Sequence, residues 1–586
     1  MKSFLKYLLA TVVGIILSSA ILFFIFFGVV SALMSSKDKD AAIKSNTILY
    51  LKLDQKIVDR KPKIPFDFST LRKKQQIGLN ELLTNIDKAK EDEKISGIHL
   101  DLTYVPAGIA TIEEIRTALL DFRKSEKFVT VYSEVFSQSA YYLATAADEI
   151  YFNPIGFFQF FGLRIQSPFF KNTLKKLNID AHVIRSGKYK SAAEQFTEEE
   201  YSAANSEQLS RLITTIWDDI CHKISEQRDI TPDKLNEIAD KLLIRDAQAA
   251  YAHGLVDSLV YKDEVIAILK EKTGIEEARD LNTTTLGEYA RVPRKREYKG
   301  LAKDKIAVIY ATGTINVGDG DENTIGSDKF AREIRKARRD SSIKAVVVRV
   351  NSPGGSAIAS DVIWHELNLT REAKPVIVSM GNVAGSGGYY ISCMADTILV
   401  QSGTITGSIG VIGMFLNTSG FFNKFGITFD MEKTNEHADF MSSLRDISPV
   451  EEEYWKDGID SIYSQFVRRV EKGRPLTYDE VDEIARGRIW SGLDAVELGL
   501  ADKVGGLHDA IEIAKNMAGL GEKYRIVELP KQEDPFEKLI KDFTGRARLR
   551  ALEKELGING EYVHIYRQLM QNQGIIARMP YDIVIY

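Results

Sequence analysis

The chain contains the stretch Val376-Ile-Val-Ser-Met-Gly-Asn-Val-Ala-Gly-Ser-Gly-Gly-Tyr-Tyr390, and an earlier stretch has a similar layout. The earlier stretch is Phe128-Val-Thr-Val-Tyr-Ser-Glu-Val-Phe-Ser-Gln-Ser-Ala-Tyr-Tyr142. At an offset of 248 residues the two Tyr-Tyr pairs coincide, and so do Ala395-Asp396 and Ala147-Asp148. Similarity that recurs about a domain apart indicates a duplicated domain and not a solenoid of short repeats.

Within each copy, short apolar runs alternate with stretches at helical spacing. Such alternation is typical of parallel βαβ units, so the sequence predicts an α/β protein built from two tandem repeats. In the first copy, Leu209–Glu226 is predicted to be a long amphipathic helix because its apolar residues recur on one face. The predicted strands of the second copy are Ile306–Tyr310, Ala345–Val350, Val376–Ser379 and Thr397–Val400, and its predicted helices are Lys329–Arg338, Ala359–Thr370 and Trp455–Glu471.

Composition excludes several classes of protein. A chain of 586 residues is too long for one core, and a composition that is 44% hydrophobic and 27% charged is that of a globular protein. The net charge of −5 gives no reason to expect a nucleic-acid partner. Cys221 and Cys393 are far apart and lack metal-ligand spacing, so we expect neither a disulfide framework nor a metal, and no cofactor.

The N-terminus predicts a membrane anchor. No charged residue occurs from Tyr7 to Ser36, and about 20 apolar residues suffice to cross the hydrocarbon core of a bilayer. Lys2 and Lys6 precede the run, which places the N-terminus in the cytoplasm by the positive-inside rule. The alternative is a signal peptide cleaved near Val30-Ser31-Ala32, although its apolar region would be unusually long. Either interpretation places the rest of the chain outside the cytoplasm.

We therefore predict five segments. The basic stretch between the copies is interpreted as a solvated linker, because charge runs are usually solvated. The segments are a membrane anchor (1–45), an N-terminal repeat (46–290), a linker (291–304), a C-terminal repeat (305–520) and a C-terminal tail (521–586).

Ser386 is the first candidate catalytic residue. It follows an apolar strand, lies among Gly385, Gly387 and Gly388, and enters a predicted helix, much as a nucleophile does in a Gly-x-Ser-x-Gly turn. The N–H of Gly387 would then be one donor to a developing oxyanion. The alternative is close packing of helix on strand through small residues. The first copy argues against packing alone, because at the same offset Gln138 replaces Ser386 while the surrounding scaffold residues persist.

Two other glycine-bearing segments accompany it. Gly354-Gly355 follows a predicted strand, where free N–H groups could form an oxyanion hole or simply close a tight turn. The first copy has Pro106-Ala107 at these positions. Ser408, in a turn-rich segment, could lie near the same site or in a solvated loop.

A serine nucleophile needs a base, and none of the eight histidines lies in a glycine-rich turn near a strand end. After the predicted strand Ala181–Ile184, however, the first copy contains Gly187-Lys-Tyr-Lys190. Lys190 is replaced by Ala438 in the second copy, so one copy has the lysine and the other the serine. Lys188 is an alternative, because on a strand-like segment it would face the same side as Lys190.

Three other functions fit the sequence less well. An α/β-hydrolase would need an acid and a histidine after the serine, and no convincing pair is present. A crotonase-type acyl-CoA enzyme would use paired glycine N–H groups, but such enzymes usually need carboxylates and are mostly soluble. A noncatalytic membrane scaffold of the same fold would be expected to have lost the candidate site residues, whereas this chain has them all.

Three motifs together resemble the signal peptide peptidase A family, in its long bacterial form, among the ClpP/crotonase-like serine peptidases. They are Asn351-Ser-Pro-Gly-Gly-Ser356, Ala384-Gly-Ser-Gly-Gly-Tyr-Tyr390 and Gly187-Lys-Tyr-Lys-Ser-Ala192. The resemblance covers nearly the whole chain, anchor included, and implies two ClpP/crotonase-like repeats after an N-terminal transmembrane helix. It further implies that Ser386 is the nucleophile, Lys190 the general base, Gly355 and Gly387 the oxyanion donors, and Ser408 a supporting hydroxyl.

The resemblance also implies an activity, an oligomeric state and a cellular location. The expected protein degrades cleaved signal peptides and similar apolar peptides by acyl-enzyme hydrolysis, as a bowl-shaped homotetramer. It would be a single-pass protein of a Gram-negative-type inner membrane, with its catalytic part in the periplasm. Gln195 departs from the family, which usually has proline there, and should affect loop rigidity more than chemistry. Lys190 must be neutral to act, so we expect packing between the repeats to desolvate it and lower its pKa.

Overall fold

The computed structural model describes residues 2–35, 43–62, 66–67, 72–73, 76–294, 302–321, 323–532 and 574–579. The first of these ranges forms helix α1 (Lys2–Ser35). A search of the described residues found no helix long and apolar enough to cross a membrane, so the transmembrane helix stays a prediction. Parts of the predicted anchor and linker, and most of the predicted tail, lie outside the described residues.

The elements between residues 47 and 289 build the first repeat. Its strands are β1 (Thr47–Lys52), β2 (Lys56–Val58), β3 (Phe66–Asp67), β4 (Arg72–Lys73), β5 (Gln76–Gly78), β6 (Ile95–Asp101), β7 (Phe128–Phe136), β8 (Glu149–Phe158), β9 (Asp180–Ser186), β10 (Ser258–Leu259) and β11 (Thr283–Thr285). Its helices are α2 (Leu79–Glu91), α3 (Ile109–Arg123), α4 (Gln138–Ala144), α5 (Lys171–Leu177), α6 (Glu194–Thr197), α7 (Ala203–Arg228), α8 (Pro232–Asp240), α9 (Ala247–Ala252), α10 (Lys262–Thr273) and α11 (Leu286–Tyr289).

The elements from residue 305 onward build the second repeat and one further strand. The strands are β12 (Lys305–Thr312), β13 (Thr314–Asn316), β14 (Thr324–Gly326), β15 (Ile343–Ser352), β16 (Gly354–Ser356), β17 (Val376–Gly385), β18 (Thr397–Val400), β19 (Ile405–Gly407), β20 (Val411–Asn417), β21 (Ile489–Ser491), β22 (Lys503–Val504), β23 (Arg525–Leu529) and β24 (Gly574–Arg578). The helices are α12 (Ser327–Arg339), α13 (Ala357–Arg371), α14 (Gly387–Ser392), α15 (Ser419–Lys424), α16 (Pro449–Gly473), α17 (Tyr478–Ile484), α18 (Gly492–Glu497) and α19 (Leu507–Met517).

Each repeat has its own sheet, and the two sheets share one strand order. The first sheet runs β10-β8-β7-β6-β1-β11, and the second contains the equivalent path β22-β18-β17-β15-β12-β23. All neighbours along both paths pair in parallel, so the predicted α/β class and the parallel βαβ units are confirmed. The second sheet continues from β17 through β19 to β21, which pairs antiparallel.

Burial of both sheet faces explains why the strands are apolar throughout. In β12 the run from Ile306 to Ala311 is buried without alternation, as expected for a parallel sheet covered by helices on both faces. The duplication extends to polar contacts at the same offset of 248. Arg123 pairs with Asp148 in the first repeat, and Arg371 pairs with Asp396 in the second.

A third sheet joins the repeats. Its order is β14-β13-β16-β24-β20-β9, so β9 of the first repeat lies beside β20 of the second. These two strands pair antiparallel from Val411 opposite Ser186 to Asn417 opposite Asp180. The turn that follows β9 is thereby held against the second repeat, where Ser386 follows β17.

Candidate active site

Ser386 lies at the carboxyl end of β17 and directly before helix α14, as the sequence predicts. Its backbone has φ 55° and ψ −116°, a conformation that residues with a side chain rarely adopt. Its N–H donates to the carbonyl oxygen of Gly407 at 2.8 Å, which fixes the turn. The residue is fully buried. Strain at a strand-to-helix turn is typical of the nucleophile in an α/β-hydrolase.

The glycines after Ser386 are required by packing. A Cβ on Gly387 would lie 2.6 Å from Ser360 Oγ, and a Cβ on Gly388 would lie 2.6 Å from the carbonyl oxygen of Ser352. Both distances are shorter than any normal contact. The packing interpretation of this motif is therefore correct for the glycines, and it does not exclude a chemical role for the serine before them.

Lys190 reaches Ser386 from the other repeat. Its Nζ donates to Ser386 Oγ at 2.7 Å, to Ser408 Oγ at 2.9 Å and to the carbonyl oxygen of Ser408 at 2.8 Å. Both serines are fully buried, and Lys190 is only 1% exposed. The structure thus brings Lys190 into contact with two serines that lie 196 and 218 positions away along the chain.

Burial sets the protonation of this lysine. Desolvation disfavours the ammonium and holds the pKa of Lys190 well below its usual value of 10.5. The groups that accept its hydrogen bonds, the two hydroxyls and one carbonyl, are all neutral. They orient Nζ without restoring the charged form as a carboxylate would.

Lys188 is not placed as the strand-like interpretation predicted. Strand β9 ends at Ser186, and residues 187–190 form a turn, so side chains two positions apart no longer face the same side. Lys188 is exposed and lies over the ring of Tyr189, with 5.1 Å from Nζ to the ring centroid. The prediction that both lysines would face the serine is therefore wrong.

Several residues that sequence reasoning missed hold the turn of Lys190. Tyr189 N–H donates to the carbonyl oxygen of Arg486, and Gln208 Nε2 donates to the carbonyl oxygen of Tyr189 at 3.0 Å. Gln208 also accepts from the N–H of Ile489, so its amide links both repeats. Gln208 is buried on α7 one position before the predicted start of that helix. The sequence offered one signal for this role: Gln208 is a polar residue on the face of α7 that is otherwise apolar.

Gly354, Gly355 and Gly387 lie together beside Ser386. A Cβ on Gly354 would be 2.6 Å from the backbone nitrogen of Gly387, so the two glycine segments are in direct contact. Gly354 has φ 95°, which favours glycine. Two backbone segments without side chains therefore border the serine, and such segments leave room for a substrate carbonyl to approach their N–H groups.

The equivalent position of the first repeat has a structural role. Gln138 begins α4 where Ser386 precedes α14, and its Oε1 accepts the N–H groups of Phe161 and Gly162. Its Nε2 donates back to the carbonyl oxygen of Gly162. The amide thus fastens a loop across the end of the first sheet, where the second repeat has its candidate nucleophile.

Comparison with known proteins assigns the family. Peptidase family S49 matches residues 121–276 and again residues 368–521, once in each repeat. The chain belongs to peptidase family S49. It is therefore a serine peptidase, and the first S49 match contains Lys190 whereas the second contains Ser386 and Ser408.

Two relatives and one solved structure extend the comparison. The chain is 35% identical to Protease 4 of Haemophilus influenzae over 505 residues, covering 82% of this chain and 81% of that protein. It is 32% identical to a putative signal peptide peptidase SppA of Enterococcus faecium, covering 45% of this chain and 79% of that protein. A mutant of ClpP1 from Listeria monocytogenes is similar over 35% of this chain and 94% of that one, at 15% identity and a TM-score of 0.24.

Proposed function

We propose that this S49 peptidase uses Ser386 as its nucleophile and Lys190 as the general base. The observation that carries the proposal is the 2.7 Å contact between Lys190 Nζ and Ser386 Oγ, made across two repeats in a buried site. A lysine whose pKa is lowered by burial can be neutral at moderate pH and so accept a proton. Ser408 orients Nζ toward the serine through its hydroxyl and its carbonyl oxygen.

The reaction follows from these positions. Neutral Lys190 takes the proton of Ser386 while Oγ attacks the carbonyl carbon of the substrate peptide bond. The N–H groups of Gly355 and Gly387 donate to the oxyanion that forms, a contribution of about 3–4 kcal/mol for each good donor. Lys190 then gives its proton to the leaving amine, which departs from the acyl-enzyme. Lys190 next deprotonates a water molecule that hydrolyses the ester and regenerates Ser386.

We propose apolar peptides, including remnants of cleaved signal peptides, as the substrates. The relative in Enterococcus faecium is named for signal peptides, and Protease 4 is a long relative that covers most of this chain. Peptides of this kind remain at membranes, and the uncharged run from Tyr7 to Ser36 supports an anchor there. The proposed organisation is the anchor 1–45, repeats 46–290 and 305–520 joined by a linker, and the tail 521–586, in which β23 adds an edge strand to the second sheet.

We propose a single-pass inner-membrane topology with the peptidase domains in the periplasm. Lys2 and Lys6 before the apolar run support a cytoplasmic N-terminus. We also propose a homotetramer, and exposed apolar side chains on the segment after α15 support association between subunits. Phe425, Ile427 and Phe429 on this segment are 68%, 45% and 50% exposed, which is typical of a surface that another subunit covers. Light scattering of the full chain in detergent tests the subunit number.

The decisive experiment compares peptide hydrolysis by the full chain in detergent with that of two variants. Ser386→Ala and Lys190→Ala should each lower kcat by about 10³-fold or more, because removing either member of such a unit removes most of its effect. Lys188→Ala is the matched control, since its side chain is exposed and should leave kcat unchanged. All four proteins should have the same assembly size.

A serine-directed phosphonate probe separates the two roles. It should label the wild type covalently, label Lys190→Ala slowly, and leave Ser386→Ala unlabelled. If Lys190→Ala hydrolyses peptides as fast as the wild type, Lys190 is not the base. If the wild type is inert toward apolar peptides and toward the probe, the assignment of this dyad is wrong.

A further inference from the structure

The first repeat contains a cavity of about 400 Å³ between its sheet and helix α10. Its floor is formed by Ile48 and Tyr50 on β1 and by His99 on β6, and α10 contributes Val265 and Leu269 to the wall. Sites for small molecules usually have volumes of about 300–1,000 Å³, with apolar walls and a few polar groups. None of the lining residues belongs to the candidate active site, so this is a separate cavity.

The equivalent face of the second repeat is closed by apolar side chains. The residues that lie side by side on β1, β6 and β7 are Tyr50, His99 and Thr130. The residues that lie side by side on the equivalent strands β12, β15 and β17 are Val308, Val347 and Ile377. These three apolar residues pack in one core cluster with side chains of α19. Polar residues in the same row of the first repeat therefore accompany an open cavity.

A lysine at the cavity lacks the partners that its counterpart has. Helices α10 and α19 each begin four residues after the start of the preceding strand, so Lys270 and Lys515 occupy matching positions. Lys515 pairs with Glu512 at 3.1 Å and with Glu522 at 2.6 Å. Lys270 lines the cavity, and its Nζ donates to the carbonyl oxygen of Glu277 at 2.7 Å. Within the part of the chain that the structure describes, no carboxylate pairs with Lys270.

One end of the cavity holds two opposite charges. Asn46, just before β1, donates from Nδ2 to the carbonyl oxygen of Thr273 at 3.0 Å, so α10 ends where β1 begins. Lys270 lies in this last turn of α10. Asp280 also lines the cavity, from the chain just before β11, which pairs with β1. Among the described residues Asp280 has no ion-pair partner, so an ammonium and a carboxylate lie at this end without pairing with each other.

The other end of the cavity offers neutral groups. Tyr50 donates its hydroxyl hydrogen to Asp101, and Lys262 Nζ donates to the same carboxylate at 2.7 Å, which neutralises both charges. His99 Nδ1 shares a hydrogen bond with Thr130 Oγ1 at 2.8 Å, which leaves Nε2 as the ring nitrogen that can contact a ligand. Burial lowers the pKa of His99 to about 4, so its ring is neutral at neutral pH.

We propose that this cavity binds a free aromatic α-amino acid. The carboxylate of the ligand contacts Lys270, its ammonium contacts Asp280, and its ring lies along the apolar wall of α10. A zwitterion matches two opposite charges that are not paired with each other, and an aromatic ring supplies a large apolar surface with few rotatable bonds. A ring hydroxyl, as in tyrosine, forms a hydrogen bond with Nε2 of His99. This inference goes beyond the proposed function of Ser386 and does not depend on it.

Isothermal titration calorimetry of the full chain in detergent tests the proposal. L-Phenylalanine should bind at one site per chain, and L-tyrosine should bind severalfold more tightly. Phenethylamine lacks the carboxylate and 3-phenylpropionate lacks the ammonium, so each should bind at least about tenfold more weakly than L-phenylalanine, a loss of about 1.4 kcal/mol. If neither amino acid binds, or if both analogues bind as tightly as L-phenylalanine, the proposal is overturned. Equal affinities for the two amino acids overturn the contact with His99.

Two variants locate the binding site. Lys270→Met should weaken binding of L-phenylalanine at least about tenfold, and Lys515→Met, at the matching position of α19, should bind like the wild type. Ile266→Trp fills the cavity from its partly exposed wall and should abolish binding. Its matched control is Ile526→Trp, since these isoleucines are 41% and 49% exposed.

Peptide hydrolysis is measured on the same proteins. All four variants should hydrolyse an apolar peptide at the wild-type rate, because none of these residues contacts the candidate active site. Binding of L-phenylalanine that persists unchanged in both Lys270→Met and Ile266→Trp lies elsewhere on the protein and overturns the proposal. A wild type that binds L-phenylalanine but hydrolyses no peptide would overturn the proposed function and leave this binding site in place.

Discussion

The protonation state of Lys190 is decided by what surrounds one nitrogen atom. Its Nζ is buried and donates to the oxygens of Ser386 and Ser408, and burial is the cause of its lowered pKa. A nearby carboxylate would favour the ammonium and keep the base protonated at neutral pH. Lys223, by contrast, is half-buried and forms ion pairs with the buried Glu113 at 2.8 Å and with Asp219 at 2.7 Å, and these carboxylates raise its pKa. Lys223 shows that carboxylate partners raise the pKa of a partly desolvated lysine in this protein.

The pH dependence of activity should therefore report the lowered pKa. Only neutral Lys190 can accept the serine proton, so kcat/KM should rise with pH and level off above the pKa of the free enzyme. Because burial lowers that pKa, the midpoint should lie below 10.5. A pH–rate profile from about pH 5 to 10 measures it. Lys188→Ala should keep the same midpoint, and a profile that falls as pH rises through this range contradicts the assignment.

The backbone conformation of Ser386 should lower the stability of the folded protein. Its φ of 55° is strained for any residue with a Cβ, at a cost of about 1–3 kcal/mol. Ser386→Gly should therefore be more stable than Ser386→Ala by about 1 kcal/mol in urea unfolding, after the greater flexibility of unfolded glycine is included. Both variants should be inactive.

The control for that comparison is Ser392, the last residue of α14. There glycine is the worse helix former by about 1 kcal/mol, so Ser392→Gly should be less stable than Ser392→Ala. If glycine and alanine rank in the same order at both serines, strain at Ser386 does not explain the result.

Prediction from the sequence succeeded where a local pattern determines the outcome. Strand Thr397–Val400 has the predicted bounds. Helix α7 begins six residues before the predicted Leu209, where Ser202 caps it. The apolar pattern misses these first turns because their buried residues, Asn205 and Gln208, are polar. The contact of Lys190 with Ser386 depends on the pairing of β9 with β20, and no local pattern specifies which strands of different repeats pair. The sequence suggested this contact through the reciprocal loss of serine and lysine between the copies and through the three motifs that resemble the signal peptide peptidase A family.

At the scale of single elements, the turn after β9 is held by close backbone contact. Gly487 has φ 83°, and a Cβ there would lie 2.5 Å from both the nitrogen and the Cβ of Lys190. Glycine at this position lets the second repeat approach the backbone that carries the base. The third sheet brings the turn that contains Lys190 to the second repeat, and the backbone contact with Gly487 fixes where Lys190 lies within that turn.

Gly487→Ala should displace Lys190 and lower kcat by at least about tenfold, because small misplacements of a catalytic group are costly. Gly499→Ala is the matched control. Gly499 has a similar φ of 74°, but its nearest neighbours are side-chain atoms of Leu476 at 3.6 Å or beyond. Both variants should lose stability through backbone strain, and only Gly487→Ala should lose activity. Equal kcat values for the two variants would show that this contact does not position the base.

At the scale of the whole molecule, one buried arginine fastens the repeats together. Arg349 is fully buried near the end of β15, and its Nε donates to Asp59 at 2.7 Å while Nη2 donates to Glu114 at 2.5 Å. Both carboxylates belong to the first repeat and are nearly fully buried. Burial raises the pKa of Glu114, and the positive charge of Arg349 opposes that rise. The arginine therefore compensates two carboxylates that would otherwise be buried without a cation.

Arg349→Met should destabilise the protein by about 3–5 kcal/mol, because it leaves two uncompensated buried carboxylates at the junction of the repeats. Urea unfolding measures this loss. Arg332→Met is the control, since Arg332 pairs with Asp319 on the surface and such a pair contributes at most about 1 kcal/mol. Adding Glu114→Gln to Arg349→Met should recover part of the lost stability by removing one buried charge. Because Ser386 and Lys190 come from different repeats, Arg349→Met should also lower kcat. Equal stability of Arg349→Met and Arg332→Met would show that the contacts of Arg349 with Asp59 and Glu114 do not hold the repeats together.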